Sequence, residues 1–369
     1  MIPDVVSAWA GSPVGGVVVV ALGWWLGRLL ARAADAWYRA TEDLPVTPRF
    51  AATVSAGAAC LAGLLWWWEV RLAGATAAGS GAAAVVRCLA HMALLWLLAA
   101  ATWIDFRQRV IPDWITVPGV IVGLATAWAW PQSLLPITVE VSRTYSVPVE
   151  EGDVLAWYGG LHAGVGGMCG GSPMLPGLCL SLAIFTAWWL VCTEPMHDAR
   201  GGFRLSSRNA LVVVGWLAIA AAWWGGGKRF DALQSGLVGM AVSGGLVWAV
   251  RAGASAALGR EAMGLGDVTL MAMVGSWLGW QPCVLTFFLA AFIGLGHGLL
   301  QVIRHQEHEL PFGPSLCLAA GVVVVAWQPL WHATRIHFER PGQLAAVVAA
   351  VVVLTAITLA GWRWLGRAG

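Results

Sequence analysis

Long apolar runs, separated by short connections that carry arginine, constrain this chain more than any other feature. A run of about 17–25 apolar residues is long enough, as a helix, to cross the hydrocarbon core of a bilayer. Hydropathy marks eleven such segments, centred in 13–34, 51–70, 82–103, 111–130, 174–192, 209–225, 233–250, 268–280, 283–303, 312–331 and 343–362. Some are short enough that the expected count runs from nine to eleven. The composition agrees, because 59% of the 369 residues are hydrophobic and 11% are charged, with a mean hydropathy of +0.74. A soluble body of this size would carry charge on roughly a quarter of its residues. The expected fold class is therefore all-α, a polytopic transmembrane helical bundle whose first partner is the lipid bilayer. A net charge of +2 suggests no nucleic-acid partner.

The arginines orient the spans. Arg28, Arg32, Arg39 and Arg49 surround the first connection, Arg107 and Arg109 the third, Arg200, Arg204 and Arg208 the fifth, and Arg251 and Arg260 the seventh. Arg304 marks the ninth, and Arg363 and Arg367 the C-terminus. Alternate ends are thus expected to face the cytoplasm by the positive-inside rule. Arg71, Arg143, Lys228, Arg229, Arg335 and Arg340 lie opposite and blur the bias. The start, Met1-Ile2-Pro3-Asp4, lacks a basic patch, and the first apolar run reads as a retained span.

Against this background two acids stand out, Asp105 and Asp267, each abutting an apolar run. Ionisable groups at or inside a bilayer are costly, and their default reading is functional. In the expected topology Asp105 ends a span entering the cytoplasm and Asp267 begins one leaving it. Both then face one compartment, where two carboxylates could work as a pair. The segment 268–280 is short for a crossing, and Gly264 and Gly266 permit close helix approach before it. A second reading makes Asp267 the N-terminal cap of its helix.

Three motifs follow one another along the chain. Ile104-Asp105 leads to Ile111-Pro112-Asp113 and an apolar helix; Gly264-Leu265-Gly266-Asp267 runs into Val268, Leu270 and Met271; and Pro311-Phe312-Gly313-Pro314 opens a late span. In this order they closely resemble the type IV prepilin peptidases, bacterial members of the GxGD intramembrane aspartyl proteases, over roughly 85–131 and 231–325. The resemblance implies a multi-pass aspartic endopeptidase of the bacterial inner membrane. Its partners would be prepilins or pseudopilins of pilus or type II secretion systems, whose leader it removes on the cytoplasmic side. It implies Asp105 and Asp267 as the catalytic pair, with Gly264, Gly266, Pro112, Asp113, Pro311, Phe312, Gly313 and Pro314 in support, and neither metal nor cofactor at the site.

Departures from the family pattern are specific. Many members carry two C-x-x-C pairs after the first span, associated with a zinc module and with N-methylation of the trimmed pilin. Residues 35–50 contain no cysteine, and the seven cysteines of the chain form no C-x-x-C, so methyltransferase activity is not carried over. Thr269 replaces the family's common lysine two residues after the second acid. The expected organisation is an N-terminal hairpin (1–80), a first half-core with Asp105 (81–131), and an insertion with an outward loop and two extra spans (132–230). A second half-core with the GxGD and PFGP motifs (231–332) and a C-terminal span (333–369) complete it.

Two other functional classes compete. A proton- or cation-coupled transporter would use the same acids as ion sites, although no internal duplication is visible. A non-catalytic peptidase-fold assembly factor would bind pilins without cutting them. His91 and His297 read as interior histidines, the cysteines as small apolar fillers, and His305, Glu307, His308 and Glu309 as a solvated connection rather than a metal site. The tryptophan clusters, among them Trp66-Trp67-Trp68 and Trp188-Trp189, read as interfacial anchors, and Gly236, Gly239 and Gly245 as helix-packing positions.

Overall fold

The computed structural model describes residues 12–41, 48–73, 81–135, 137–141, 145–149, 175–193, 205–303, 312–338 and 341–368. It is a helical bundle whose chain divides into two compact units, Met1–Arg109 with Thr138–Pro148, and Val110–Ile137 with Val149–Gly369.

In the first unit, α1 (Pro13–Thr41) and α2 (Pro48–Leu65) form a close pair, α2 runs on as a π-helical stretch (Trp66–Ala73), and α3 (Gly81–Gln108) follows. The α1–α2 contact is set by small residues. A Cβ on Gly23 would stand 2.7 Å from Ala62 Cβ, and one on Gly27 would stand 2.6 Å from Ser55 Cα. Gly23 and Gly27 have the G-x-x-x-G spacing that lets membrane helices touch backbone to backbone. On α3, the fully buried His91 meets Glu69 of the π-helical stretch through its Nδ1 and the Glu69 Oε1. A buried polar pair of this kind ties the two segments together in an otherwise apolar interior.

The second unit contains α4 (Asp113–Ala129), α5 (Leu175–Thr193), α6 (Leu205–Gly225), α7 (Gly227–Leu258), α8 (Leu265–Leu278), α9 (Trp280–Ile303), α10 (Gly313–Val325), α11 (Trp327–Phe338) and α12 (Pro341–Ala368). Its centre is α8, in which every residue from Asp267 to Leu278 is buried. A helix apolar on all sides belongs inside a bundle. At 1.5 Å per residue its 14 residues rise about 21 Å, less than the hydrocarbon thickness, so it occupies only part of a crossing.

Small residues bring α7 against α8. Gly239 and Gly275 face each other so closely that a Cβ on either would lie 2.2–2.3 Å from the other's carbonyl oxygen. Ser243 Oγ donates to Met271 O at 2.8 Å across the same contact. Gly236 also packs there, its notional Cβ 3.0 Å from Ser276 O, whereas Gly245 faces open space. On the other flank, Trp277 Nε1 donates to Gly119 O of α4 at 2.9 Å.

Among the described residues, five helical segments are long and apolar enough to cross a membrane, Ala51–Val70, Ala83–Phe106, Leu175–Cys192, Gly227–Leu258 and Trp280–Leu300, and a sixth if α10 and α11 count as one broken span. Shorter apolar helices at Pro13–Leu29, Asp113–Ala129, Leu211–Gly225, Leu265–Leu278 and Gly342–Thr355 account for the remaining segments marked by hydropathy. The protein is a multi-pass membrane protein.

The structure departs from expectation at three places. Segment 312–331 is not a straight span: α10 ends at Val325, and α11 leaves it at 97°. Trp327, Trp331 and Phe338 of α11 then stack together, with Phe338 against Trp280 at the start of α9. Two short strands, β1 (Ile137–Val141) and β2 (Tyr145–Val149), form a two-stranded ribbon within residues 132–230, in a stretch where the hydropathy pattern marks no element. Several expected interfacial tryptophans are interior, since Trp66, Trp188 and Trp189 are all buried.

Candidate active site

Asp105 lies in the last turn of α3 and is 5% exposed. Its carbonyl accepts the N–H of Arg109 at 2.9 Å, and Arg109 has φ +54°. This left-handed residue ends the helix as a C-terminal cap, a role that glycine usually takes. For a residue with a Cβ the conformation costs roughly 1–2 kcal/mol. The chain then passes through Val110, Ile111 and Pro112, whose extended backbone (φ −79°, ψ 137°) caps α4. Asp113 begins that helix and is exposed.

Asp267 is 8% exposed and is the third residue of α8. Gly264, with extended backbone (φ −68°, ψ 150°), holds the N-cap position. Asp267 is therefore not the cap, and the capping reading of this motif does not hold. In the first turn its carboxylate sits near the positive end of the helix dipole, which favours negative charge there.

The two glycines of the motif differ. A Cβ on Gly266 would stand 2.9 Å from Ile111 Cβ and 3.2 Å from Ile111 O, whereas one on Gly264 would meet its nearest neighbour at 3.9 Å. Gly266 thus lets the GxGD turn rest directly on the backbone of the Ile111-Pro112-Asp113 segment. Thr269, buried, donates its hydroxyl back to Gly266 O at 3.1 Å and so spends its polarity on the same turn.

The third motif braces α9. Phe312 caps α10, Gly313 and Pro314 open it and are buried, and the Phe312 ring lies 3.6 Å from where a Gly294 Cβ would be. Pro311, His305, Glu307, His308 and Glu309 fall outside the described residues.

Sequence reasoning reads Arg251 as no more than a topology marker, but the structure ties it to the connection that leads into α8. Its guanidinium bonds Met263 O at 2.9 Å and the Glu261 carboxylate, and Ser255 Oγ accepts the Ala262 N–H at 3.0 Å. The signal in the sequence is an arginine four residues before Ser255 in the stretch 246–258, whose other residues are small or apolar. Among the described residues no cluster of three or more His, Cys, Asp or Glu could hold a metal ion.

These features define a multi-pass helical membrane protein with a buried acid near a helix end in each unit. Residues 92–148 and 184–299 match the type IV leader peptidase family. Both acids, Asp113 and the GxGD glycines lie inside the matched residues. The chain is 34% identical over 129 residues to the prepilin leader peptidase/N-methyltransferase of Stutzerimonas stutzeri, covering 34% of this chain and 43% of that one. The Pseudomonas aeruginosa protein of the same description is 37% identical over 127 residues, covering 33% and 42%. That of Burkholderia pseudomallei is 28% identical over 159 residues, covering 42% and 47%. The chain thus spans less than half the length of these relatives. No solved structure matches it.

Proposed function

We propose that this protein is an aspartic endopeptidase that removes the leader from prepilin or pseudopilin precursors, with Asp105 and Asp267 as its catalytic pair. The observation that carries the reading is the placement of two buried carboxylates, each near a helix end and each within residues matched by the family. Two carboxylates a few ångströms apart in a poorly solvated site share one proton and titrate as a pair. One takes a proton from water; the other hydrogen-bonds the scissile carbonyl and then helps protonate the leaving amine. This route forms no covalent intermediate.

The arginine pattern supports an inner-membrane orientation with both acids toward the cytoplasm. Of the insertion expected over 132–230, residues 149–183 are the part outside the family match. Leader removal without N-methylation is the activity assigned, because residues 35–50 contain no cysteine.

The test is incubation of purified protein with prepilin precursors encoded in the same genome, read by intact mass. Loss of a leader at one peptide bond is the expected result. Failure to cut any of them, together with acid-dependent proton flux in liposomes, would instead favour the transporter.

A further inference from the structure

Six residues, Gly259 to Gly264, connect α7 to the helix that carries Asp267. Gly259 ends α7 in the left-handed region (φ 66°, ψ 21°) with its N–H on Ser255 O at 2.8 Å. Beyond it the connection has no helical ladder, Arg260, Glu261 and Ala262 are exposed, and the N-cap Gly264 offers no side chain to the first turn of α8. The path of this connection is therefore set by ties from elsewhere.

Those ties come from one face of α7. Ser255 Oγ takes the Ala262 N–H at 3.0 Å, and one turn earlier Arg251 reaches two acceptors at once, Met263 O through Nε at 2.9 Å and Glu261 Oε1 through Nη2. A planar guanidinium holds two acceptors in a fixed relative geometry, which a lysine ammonium does not. Met263 immediately precedes the cap of α8. The start of that helix is thus held from two sides, by Ile111 against Gly266 and by Arg251 on Met263.

We propose that Arg251 is a positioning residue of the peptidase, clamping the 259–264 connection so that the first turn of α8 presents Asp267 in its working place. The proposal rests on the reading of Asp267 as catalytic. The Glu261 carboxylate orients the guanidinium, and the bond to the Met263 carbonyl is the one that fixes the helix start. Glu261 is 64% exposed and Arg251 26%, and an ion pair so open to solvent adds little to stability. Removing it therefore leaves the bundle folded.

The experiment compares wild type, Arg251→Ala, Arg251→Lys and Glu261→Gln, full-length and purified in detergent. Leader-removal kinetics are measured on a prepilin precursor from the same genome, with amide hydrogen exchange over 260–268 beside them. Arg251→Ala is expected to lower kcat by about tenfold or more with KM within about twofold, and to speed exchange over 262–267 by about tenfold. Arg251→Lys should recover part of both effects, and Glu261→Gln should change kcat by less than about threefold, because the carbonyl bond survives.

Unchanged exchange in Arg251→Ala overturns the clamp, and this arm needs no substrate. Faster exchange with unchanged kcat overturns the positioning role. Absence of cleavage by the wild type would overturn the peptidase reading, while the exchange arm still decides the clamp.

Discussion

Replacing Gly266 by alanine puts a methyl carbon 2.9 Å from Ile111 Cβ, 3.2 Å from its carbonyl oxygen and 3.4 Å from its nitrogen. Carbon atoms pack best at about 3.5–4.0 Å, so Ile111 and the turn must part by roughly 0.6–1.1 Å. Two of the three atoms met are backbone, so a rotamer change cannot absorb the strain. Overpacking of this kind costs about 1–3 kcal/mol, and alanine returns about 0.5–1 kcal/mol of it through its better helix propensity. The net loss is too small to unfold the bundle. The displacement, however, falls on the residue next to Asp267, and a misplacement of about 1 Å at a reacting group costs on the order of 100-fold in rate. Gly266→Ala is therefore expected to fold with a slightly lower Tm and to lose about two orders of magnitude in leader removal. Gly264→Ala is the control, since its backbone is ordinary and its nearest neighbour would lie at 3.9 Å. Single-turnover cleavage beside a melting curve in detergent reads both variants. A Gly266→Ala protein that cuts at the wild-type rate, or a Gly264→Ala protein equally impaired, would refute the argument.

Gly275→Ala should be far more damaging to the fold, because its Cβ would lie 2.3 Å from Gly239 O and 2.2 Å from Ser243 Oγ. A loss of about 3 kcal/mol, seen as a lower Tm, is expected, with Gly245→Ala as a silent partner. Trp277→Phe replaces the buried indole by a smaller phenyl ring and deletes the donor to Gly119 O, and should cost about 2–3 kcal/mol in denaturant titration, from the lost bond and the cavity together. Glu69→Ala strips the fully buried His91 of its acceptor and should lower the Tm of the protein by the equivalent of about 1–3 kcal/mol; an unchanged Tm would show that the pair is not formed.

Much of this architecture is legible in the chain because lipid makes hydropathy a direct readout of helix position. All eleven apolar segments become helices, and both acids lie within a turn of a helix end. What escapes the pattern depends on local backbone chemistry or on residues far apart in sequence. The break after Val325 has a signal in Pro329, which lacks the N–H that would continue the helix, but apolar residues on both sides make 312–331 look continuous. The ribbon is hinted at by the β-branched run Ile137-Thr138-Val139 and by Val141.

Gly-x-Gly-Asp alone does not say which residue caps the helix, because Gly264 and Asp267 both suit the position; the extended backbone at Gly264 decides it. The meeting of Glu69 with His91, 22 residues apart, and the clamp by Arg251 depend on how helices pack. A sequence read one span at a time assigns those charges to topology or to the interior.

Substitution of the two acids tests the central claim most directly. Asp105→Asn and Asp267→Asn keep the volume and most of the hydrogen bonding of each side chain while removing its ability to exchange the shared proton. With each variant folded to the wild-type Tm and incubated with a precursor that the wild type trims, no leader removal by either variant is the predicted result. Leader removal that persists in either one would contradict the assignment of a catalytic pair to Asp105 and Asp267.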